Sequence, residues 1–537
     1  MYPRAEDSVT DRVAARSYHR RMRALALLVL LCACSGGGGG GGSSPPPPPS
    51  GSSGGAVSGL SPFKDCGGGG GTASVNSEVE PYLAVDPRDA NHLIGVWQQD
   101  RWSNGSSRGL LTGVSFDAGA TWTIRQAPFS ACTGGNAANG GGFLRATDPW
   151  VAFAADGTAY QVTVATSGGT FAAGSDNAVL VSRSGDGGIT WSDPVTLMRD
   201  GSAAFNDKET ISADPNDARF VYVVWDRIVP VGGGPAHFAR TVDGGATWEP
   251  GRAIYDRGPT RQTIANLVRV LPDGTLVNLV ANLSGNEDAS KAWLEVIRSA
   301  DHGATWAAPV RVADFQPVGT RDPVTGATIR DGSILPQMAA APNGHLYVVW
   351  QDGRFAGTHD AIALARSTDG GLTWSAPVRI NADPGVAAFT PQVHVRADGM
   401  IGVSYFDLRS NTPDAATLLA DYWLARSSDG ATWTETRIDG PFDLSTAPVT
   451  TNAFFLGDYM GLASTGTAFL PFYARTTGST TNRTDVFLAR IGAASGSAEY
   501  AGAAKRAVTL EPAAPRPALD ARSFENIRRA IAARSMR

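Results

Sequence analysis

The chain has 537 residues and a net charge of −5. That is enough for one large or two ordinary domains, without the basic excess a nucleic-acid binder needs to displace counterions. Its 64 glycines and 13 tryptophans, with only 18% charged residues, favour short strands and tight turns over long helices.

The N-terminus reads as an address. Arg23 precedes the apolar run Ala24 to Leu31, which is too short to span a bilayer but suits a signal peptide. The run ends in "LCAC", with Leu31 three residues before Cys34 and Ala33 just before it. This resembles the lipobox of bacterial lipoproteins, which implies that Cys34 is lipidated and that the protein is exported, membrane-anchored and periplasmic or cell-surface facing. The following "SGGGGGGGSSPPPPPSGSSGG" has nothing apolar to bury and reads as a tether, flexible then stiff. The expected organisation is a leader over 1–34, a tether over 35–75, a folded domain over 76–492 and a tail over 493–537. In an exported chain Cys66 and Cys132 are a candidate disulfide.

Within 76–492 the chain repeats itself. "SFDAGATW" from Ser115 returns as "SGDGGITW" (Ser184), "TVDGGATW" (Thr241), "SADHGATW" (Ser299) and "STDGGLTW" (Ser367), with a shorter "SSDGATW" from Ser427. Successive phrases lie 57 to 69 residues apart, room for four short strands each. Hairpins accompany them: "EPYLAVDPRDANHLIGVWQQDR" from Glu80, "DPWVAFAADGTAYQVTV" from Asp148, "KETISADPNDARFVYVVWDR" from Lys208, and four more down to "GDYMGLASTGTAFLPFYAR" from Gly457. Strand-length apolar runs broken by Gly, Pro and Asp are hairpin signals. The prediction is an all-β β-propeller of four-stranded antiparallel blades, seven favoured and six the alternative. The seventh unit ends after its third strand, and residues before Glu80 are expected to supply the fourth.

The phrase itself reads as a fastener. Its Asp accepts hydrogen bonds from turn amides, its Gly permits positive φ, and its Trp returns toward the core. Every unit needs a turn, whereas one active site does not need six copies of one residue set. S-x-D-x-G-x-T-W resembles the Asp-box, or bacterial neuraminidase repeat, of the sialidase-like propellers, over roughly Glu80 to Gly492. That resemblance implies a glycoside hydrolase of exo-α-sialidase type acting on extracellular glycans. Its rivals are a non-catalytic glycan- or protein-binding propeller and a different hydrolase or lyase on the same scaffold.

Chemistry in a propeller belongs at one mouth of the central channel. The innermost strands begin with Glu80, Asp148, Lys208 with Glu209, Asn266, and Asp458 with Tyr459. Several hairpins end in acidic–basic pairs, which place Arg101, Arg227, Arg354 and Arg409. These arginines are either salt bridges between neighbouring units or a cluster that grips a sugar carboxylate bidentately. By resemblance to sialidases, which use a Tyr nucleophile, Tyr459 is the candidate nucleophile, Glu209 its partner, and Asp148 or Asp100 the acid/base. Arg101, Arg227, Arg354, Arg409, Glu80 and Asp458 are then the substrate-binding candidates. The sialidase "[FY]-R-I-P" motif is missing: Val79 of "VEPYLAV" stands where its Arg would be.

The seven histidines have no ligand spacing, so no catalytic metal and no cofactor are expected, with a structural calcium ion left open. A monomer is expected, with a glycan and a membrane as partners. The tail holds "LDARSFENIRRAIAARSMR", which reads as a short basic helix with Phe524, Ile527 and Ile531 on one side.

Overall fold

A computed structural model describes residues 55–63, 66–67, 70–229, 233–284, 292–492 and 508–509. Cys34, the leader, most of the tether and nearly all of the tail lie outside them. The chain is an all-β propeller, and four-stranded antiparallel units recur along it. One such unit runs Phe205–Ala213, Val221–Ile228, Ala236–Thr241 and Arg252–Tyr255. Another runs Arg261–Val270, Leu276–Ser284, Trp293–Ser299 and Val310–Asp314.

The expected count of seven or six blades is corrected. Among the described residues, the hydrogen-bonded sheets are five small ones beside one of 11 strands. Two single pairs account for the large sheet: Ser77 with Thr484, and Ser107 with Ala146, stitch neighbouring meanders into one ladder. One small sheet lies outside the repeat pattern altogether. It joins Ile329–Arg330 to Ala453–Phe455 and Val449–Thr450. Residues 57 and 58 run beside the last meander, where the Val57 amide donates to the Val486 carbonyl (2.7 Å) and the Val486 amide to Ser58 Oγ (2.9 Å).

The repeated phrase closes the outer turns. Ser115 Oγ donates to Asp117 Oδ1 (2.8 Å) and accepts from the Gly119 amide (2.8 Å), while the Thr121 amide and hydroxyl both donate to Asp117 (2.8 and 2.6 Å). The same net returns around Asp186, Asp243, Asp301 and Asp369. These hydrogen bonds, the Thr121 hydroxyl first, hold the Asp117 carboxyl down at about 2. Five of the six phrase tryptophans are half-buried and only Trp433 is fully buried. The plug expected from sequence is therefore a partial cover. Trp122 Nε1 turns back to donate to the Gly119 carbonyl (3.1 Å).

Cys66 and Cys132 form a disulfide. It ties the segment before the first inner strand to the loop after the first outer one, across a sequence separation of 66. Closing a loop of that length restricts the unfolded chain, and such bonds are typically worth about 2–4 kcal/mol. Cys66→Ser with Cys132→Ser is expected to lower the unfolding free energy by that amount in urea titration. An unchanged midpoint and slope would show that the bond adds nothing.

Candidate active site

The innermost strands share a backbone device that aims side chains at the axis. Glu80, Asp148, Lys208, Ala265 and Thr390 all have positive φ, between 49° and 62°. Each lies at an interruption of its ladder, such as Val79/Tyr82, Thr147/Trp150 and Ile264/Leu267. A bulge of this kind leaves a residue out of the ladder and re-aims its side chain. Positive φ is costly for a residue with a Cβ and persists only where the surroundings enforce it. Three of these five positions carry charge, and the three side chains meet.

Lys208 is the hub. Its ammonium lies 3.3 Å from Glu80 Oε1 and 2.8 Å from Asp458 Oδ2, and it also contacts Asp148. Glu80, Asp148 and Asp458 each offer a carboxylate oxygen within 4.8 Å of the others, and all four side chains are buried. These three carboxylates are the kind of set a divalent cation would take, but the Lys208 ammonium already contacts all three. Asp458 comes from the last unit, on the loop before strand Gly461–Thr465. Gly457 makes that approach possible: its φ is 145°, and a Cβ there would meet the Glu80 backbone nitrogen at 2.8 Å.

Two arginines join from the far side. Arg330 grips Asp458 bidentately (3.1 and 2.6 Å), and Arg101 donates to Gln98, which in turn donates to Glu80. Both guanidinium groups lie over the Phe455 ring, at 4.7 Å for Arg101 and 4.6 Å for Arg330. Nε and Nη2 of Arg101 and Nη1 of Arg330 are buried without hydrogen-bond partners. Burial and the neighbouring Arg330 pull the Arg101 guanidinium down to about 10, against the pull of the carboxylates.

The carboxyl groups are biased apart. Burial, then the Asp148 charge, pushes Glu80 well above its usual range. Burial also pushes on Asp148, but the Lys208 ammonium and hydrogen bonds from Glu80 and Lys208 outweigh it and hold the group at about 2. Glu209 is driven well above its usual range by burial and then by Asp148, and neither of its oxygens accepts from another residue. Such opposite biases mark acid and base roles in active sites. Glu209, Lys208, Trp150, Gln337 and Tyr459 border a small cavity of about 20 Å³.

Tyr459 is buried between Trp150 and Tyr82, and its hydroxyl donates to the Pro149 carbonyl (3.0 Å). Burial, then Glu80, Asp148, Glu209 and Asp458, pushes the phenol well above its usual value. A phenolate is opposed there.

The structure therefore brings together Glu80, Arg101, Asp148, Glu209, Asp458 and Tyr459. It keeps the other named residues apart. Asp100 accepts from Ser61 Oγ (2.7 Å), the Asn76 amide (2.9 Å) and Arg108 (3.0 Å), and so fastens the N-terminal segment. Arg227 pairs with Asp200 (3.0 and 2.7 Å), and Arg354 with Asp352 (both contacts 2.8 Å). Arg409 pairs with Asp407 (2.6 Å) and Glu435 (3.0 Å), lying over the Trp423 ring. Arg227 lies in strand Val221–Ile228, while Arg354 and Arg409 lie just past strands Leu346–Asp352 and Ile401–Asp407 of two other sheets; each has its own carboxylate, and they form no common clamp.

Arg330 was missed in the sequence. It lies in the long connection between Val310–Asp314 and Gln337–Ala340, outside every repeat. The signal was the excess length there: 68 residues separate Asp301 from Asp369. Two buried carboxylates hold this connection. Asp360 accepts the Val318 and Gly319 amides (2.7 and 2.8 Å), and Asp331 accepts the Thr320 and Ser333 amides (2.8 and 3.1 Å).

No family model matches the chain, and no curated protein matches it. Among solved structures it is similar to a protein of unknown function from Dyadobacter fermentans, at 16% identity and a TM-score of 0.42, over 65% of this chain and 94% of that one. It is also similar to a Hadza microbial sialidase, at 16% identity and a TM-score of 0.42, over 74% of this chain and 76% of the other. A third is a Penicillium chrysogenum α-L-arabinanase, at 15% identity and a TM-score of 0.40, over 76% of this chain and 92% of the other. At these identities and TM-scores the likenesses bring no chemistry to this chain, and its own residues must supply it.

Proposed function

We propose that the protein is a glycan-acting hydrolase whose reaction takes place at the axial mouth. The observation that carries this reading is Glu209: a buried carboxyl bordering a cavity, with neither oxygen accepting from another residue, which burial and Asp148 push well above its usual range while Lys208 holds Asp148 down. Glycoside hydrolysis asks for this division of labour, a protonated carboxyl for the leaving oxygen and an ionised one for the developing positive charge. Glu209 is then the proton donor. Asp148 is the ionised partner, held in that state by Lys208.

A second reading is the exo-α-sialidase type, with Tyr459 as nucleophile. The partnerless N–H groups of Arg101 and Arg330 favour it, because buried guanidinium donors suit a sugar carboxylate. Of the arginines named from sequence only Arg101 serves it, with Arg330 in place of the others. The resemblance at the N-terminus extends either reading to an exported monomer tethered to a membrane through Cys34, working on extracellular glycans.

The test is release of fluorophore from neutral, uronic and sialic glycosides by the full-length protein, beside Tyr459→Phe. In the first reading the variant keeps its kcat within about tenfold of wild type, because the phenol is a neutral wall. A loss of about a thousandfold or more gives Tyr459 the chemical role and the second reading takes over. No turnover of any glycoside by folded protein leaves a non-catalytic binding propeller.

A further inference from the structure

We propose that the cavity beside Glu209 is a built water site, in which one water bridges Glu209 to Gln337 and carries the Glu209 proton to and from the axial mouth. The relay deepens the hydrolase reading and rests on it; the water site does not. The cavity, about 20 Å³, has room for one water or two, at about 10–15 Å³ each. Lys208 and Tyr459 on its wall set it beside the carboxylate cluster. Every residue that lines it is buried, and so are both carboxyl oxygens of Glu209. An acid held there meets a leaving oxygen through a water, not by direct contact.

The unsatisfied atoms define the occupant. Among the described residues nothing bonds to either carboxyl oxygen of Glu209 or to Oε1 of Gln337, and both side chains are more than nine-tenths buried. Buried polar groups in that state are costly, and a water with a few polar partners removes the cost. The other polar groups on the wall are engaged. The Thr210 hydroxyl donates to the Asn266 carbonyl (3.0 Å), the Asn266 side chain is bonded to Asn278 (2.9 Å) and Asp226, and the Tyr459 hydroxyl donates to the Pro149 carbonyl (3.0 Å). Burial and Asp148 favour the protonated form of Glu209, which has an O–H to donate, while the Gln337 oxygen only accepts. A water serves both, accepting from Glu209 and donating to Gln337. A metal cation would instead face the Lys208 ammonium on the same wall.

The relay balances. The Glu209 O–H bond breaks as the water gains that proton, and the water passes one of its own to the leaving oxygen, which keeps the electron pair of the broken C–O bond. The bridging water ends neutral and Glu209 ends as a carboxylate. A second water then gives its oxygen and one hydrogen to the sugar carbon, and its other proton returns to Glu209 by the same route. Gln337 touches no reacting atom in this scheme; it is a positioning residue that holds the bridging water.

The experiment compares full-length wild type with Gln337→Met, which keeps the length of the side chain and removes its acceptor. A high-resolution crystal structure of the wild type should show water density within hydrogen-bond distance of both Glu209 and Gln337 Oε1, and the variant should lose it. In solution, the Glu209 carboxyl band, isolated by infrared difference against Glu209→Gln, should shift promptly when wild type is mixed into D₂O and slowly in Gln337→Met. For hydrolysis, kcat/KM should fall about tenfold in Gln337→Met, as expected for one lost hydrogen bond. The wild-type rate in mixed H₂O and D₂O should bow away from a straight line, because two protons move together, and the variant should lose that curvature. A dry cavity in the wild type overturns the proposal, and so does exchange of its Glu209 proton only on global unfolding; both are read even if the variant does not fold. A folded Gln337→Met with wild-type exchange, rate and curvature overturns it as well. A bridging water without hydrolysis of any glycoside would retain the site and defeat the hydrolase. Hydrolysis with a dry cavity would do the reverse.

Discussion

Lys208→Met is expected to cost about 3–5 kcal/mol of unfolding free energy at pH 7, the usual penalty for removing one partner of a buried ion pair. The ammonium is the shared counter-ion of Glu80, Asp148 and Asp458, which come from three separate segments of the ring. Without it these buried carboxylates face one another with Arg330 and Arg101 as the remaining cations. The pH dependence is a second signature. In the wild type Asp148 is depressed to about 2, so its contribution is present above about pH 3.9 and is lost as pH falls toward 2. Lys208 is raised, with burial opposed by Asp148, Asp458 and Glu80. Its contribution is therefore present below about pH 10.4 and is lost as pH rises through the raised value. In the variant, burial and the neighbouring carboxylates push Asp148 upward, and protonation relieves the repulsion. The stability gap between wild type and variant should narrow from pH 7 to pH 4. Urea unfolding at the two pH values measures it. A gap under about 1 kcal/mol at pH 7, or one that widens on acidification, would show that the cluster does not depend on Lys208.

Glu209→Gln should move activity and stability in opposite directions. Removing a positioned proton donor typically costs about 10²–10⁴ in rate, and kcat/KM is expected to fall within that range. Stability at pH 7 should rise. Glu209 sits well above its usual range in the folded protein because of burial and Asp148. Above about pH 4.3 the unfolded chain would ionise it, so the fold must take up a proton or hold a buried charge, and either costs free energy. The amide removes that cost. The gain should shrink as pH falls toward about 4 and the unfolded chain keeps its own proton. A site that trades stability for function behaves in this way. Loss of stability at pH 7, or unchanged kcat/KM, would give Glu209 a purely structural part.

Much of this arrangement was legible before the structure. Recurrence of one phrase at 57- to 69-residue spacing, with a strand–turn–strand pattern beside each copy, carried the propeller and its four-stranded units. The phrase was readable as a turn fastener because Ser, Asp, Gly and Thr stand at the offsets its hydrogen bonds require. Charged residues expected at the starts of inner strands named Glu80, Asp148, Lys208, Glu209 and Asp458; the structure instead places the first four inside strands Ala73–Asp86, Arg145–Phe153 and Phe205–Ala213, at or beside ladder interruptions, and Asp458 on the loop before Gly461–Thr465.

Three things were not legible. Sheet boundaries depend on single pairs such as Ser77 with Thr484, which no local pattern announces, so the seven- or six-blade count did not match the ladders. The arginines looked equivalent because each followed an acidic residue, yet a side chain's partner is a matter of orientation. Arg227, Arg354 and Arg409 turned to local carboxylates while Arg101 turned to the axis. Arg330 belonged to no repeat and reached the site only because Asp331 and Asp360 anchor its connection.

Hydrolysis itself is the most direct test. Full-length wild type and Glu209→Gln, at equal folded concentration, are compared on a panel of neutral and acidic glycans by reducing-sugar release. Turnover of at least one glycan by wild type, reduced at least about a hundredfold in the variant, is the predicted result. Equal release by the two proteins, or none by either, would contradict the assignment of the axial mouth as a hydrolytic site.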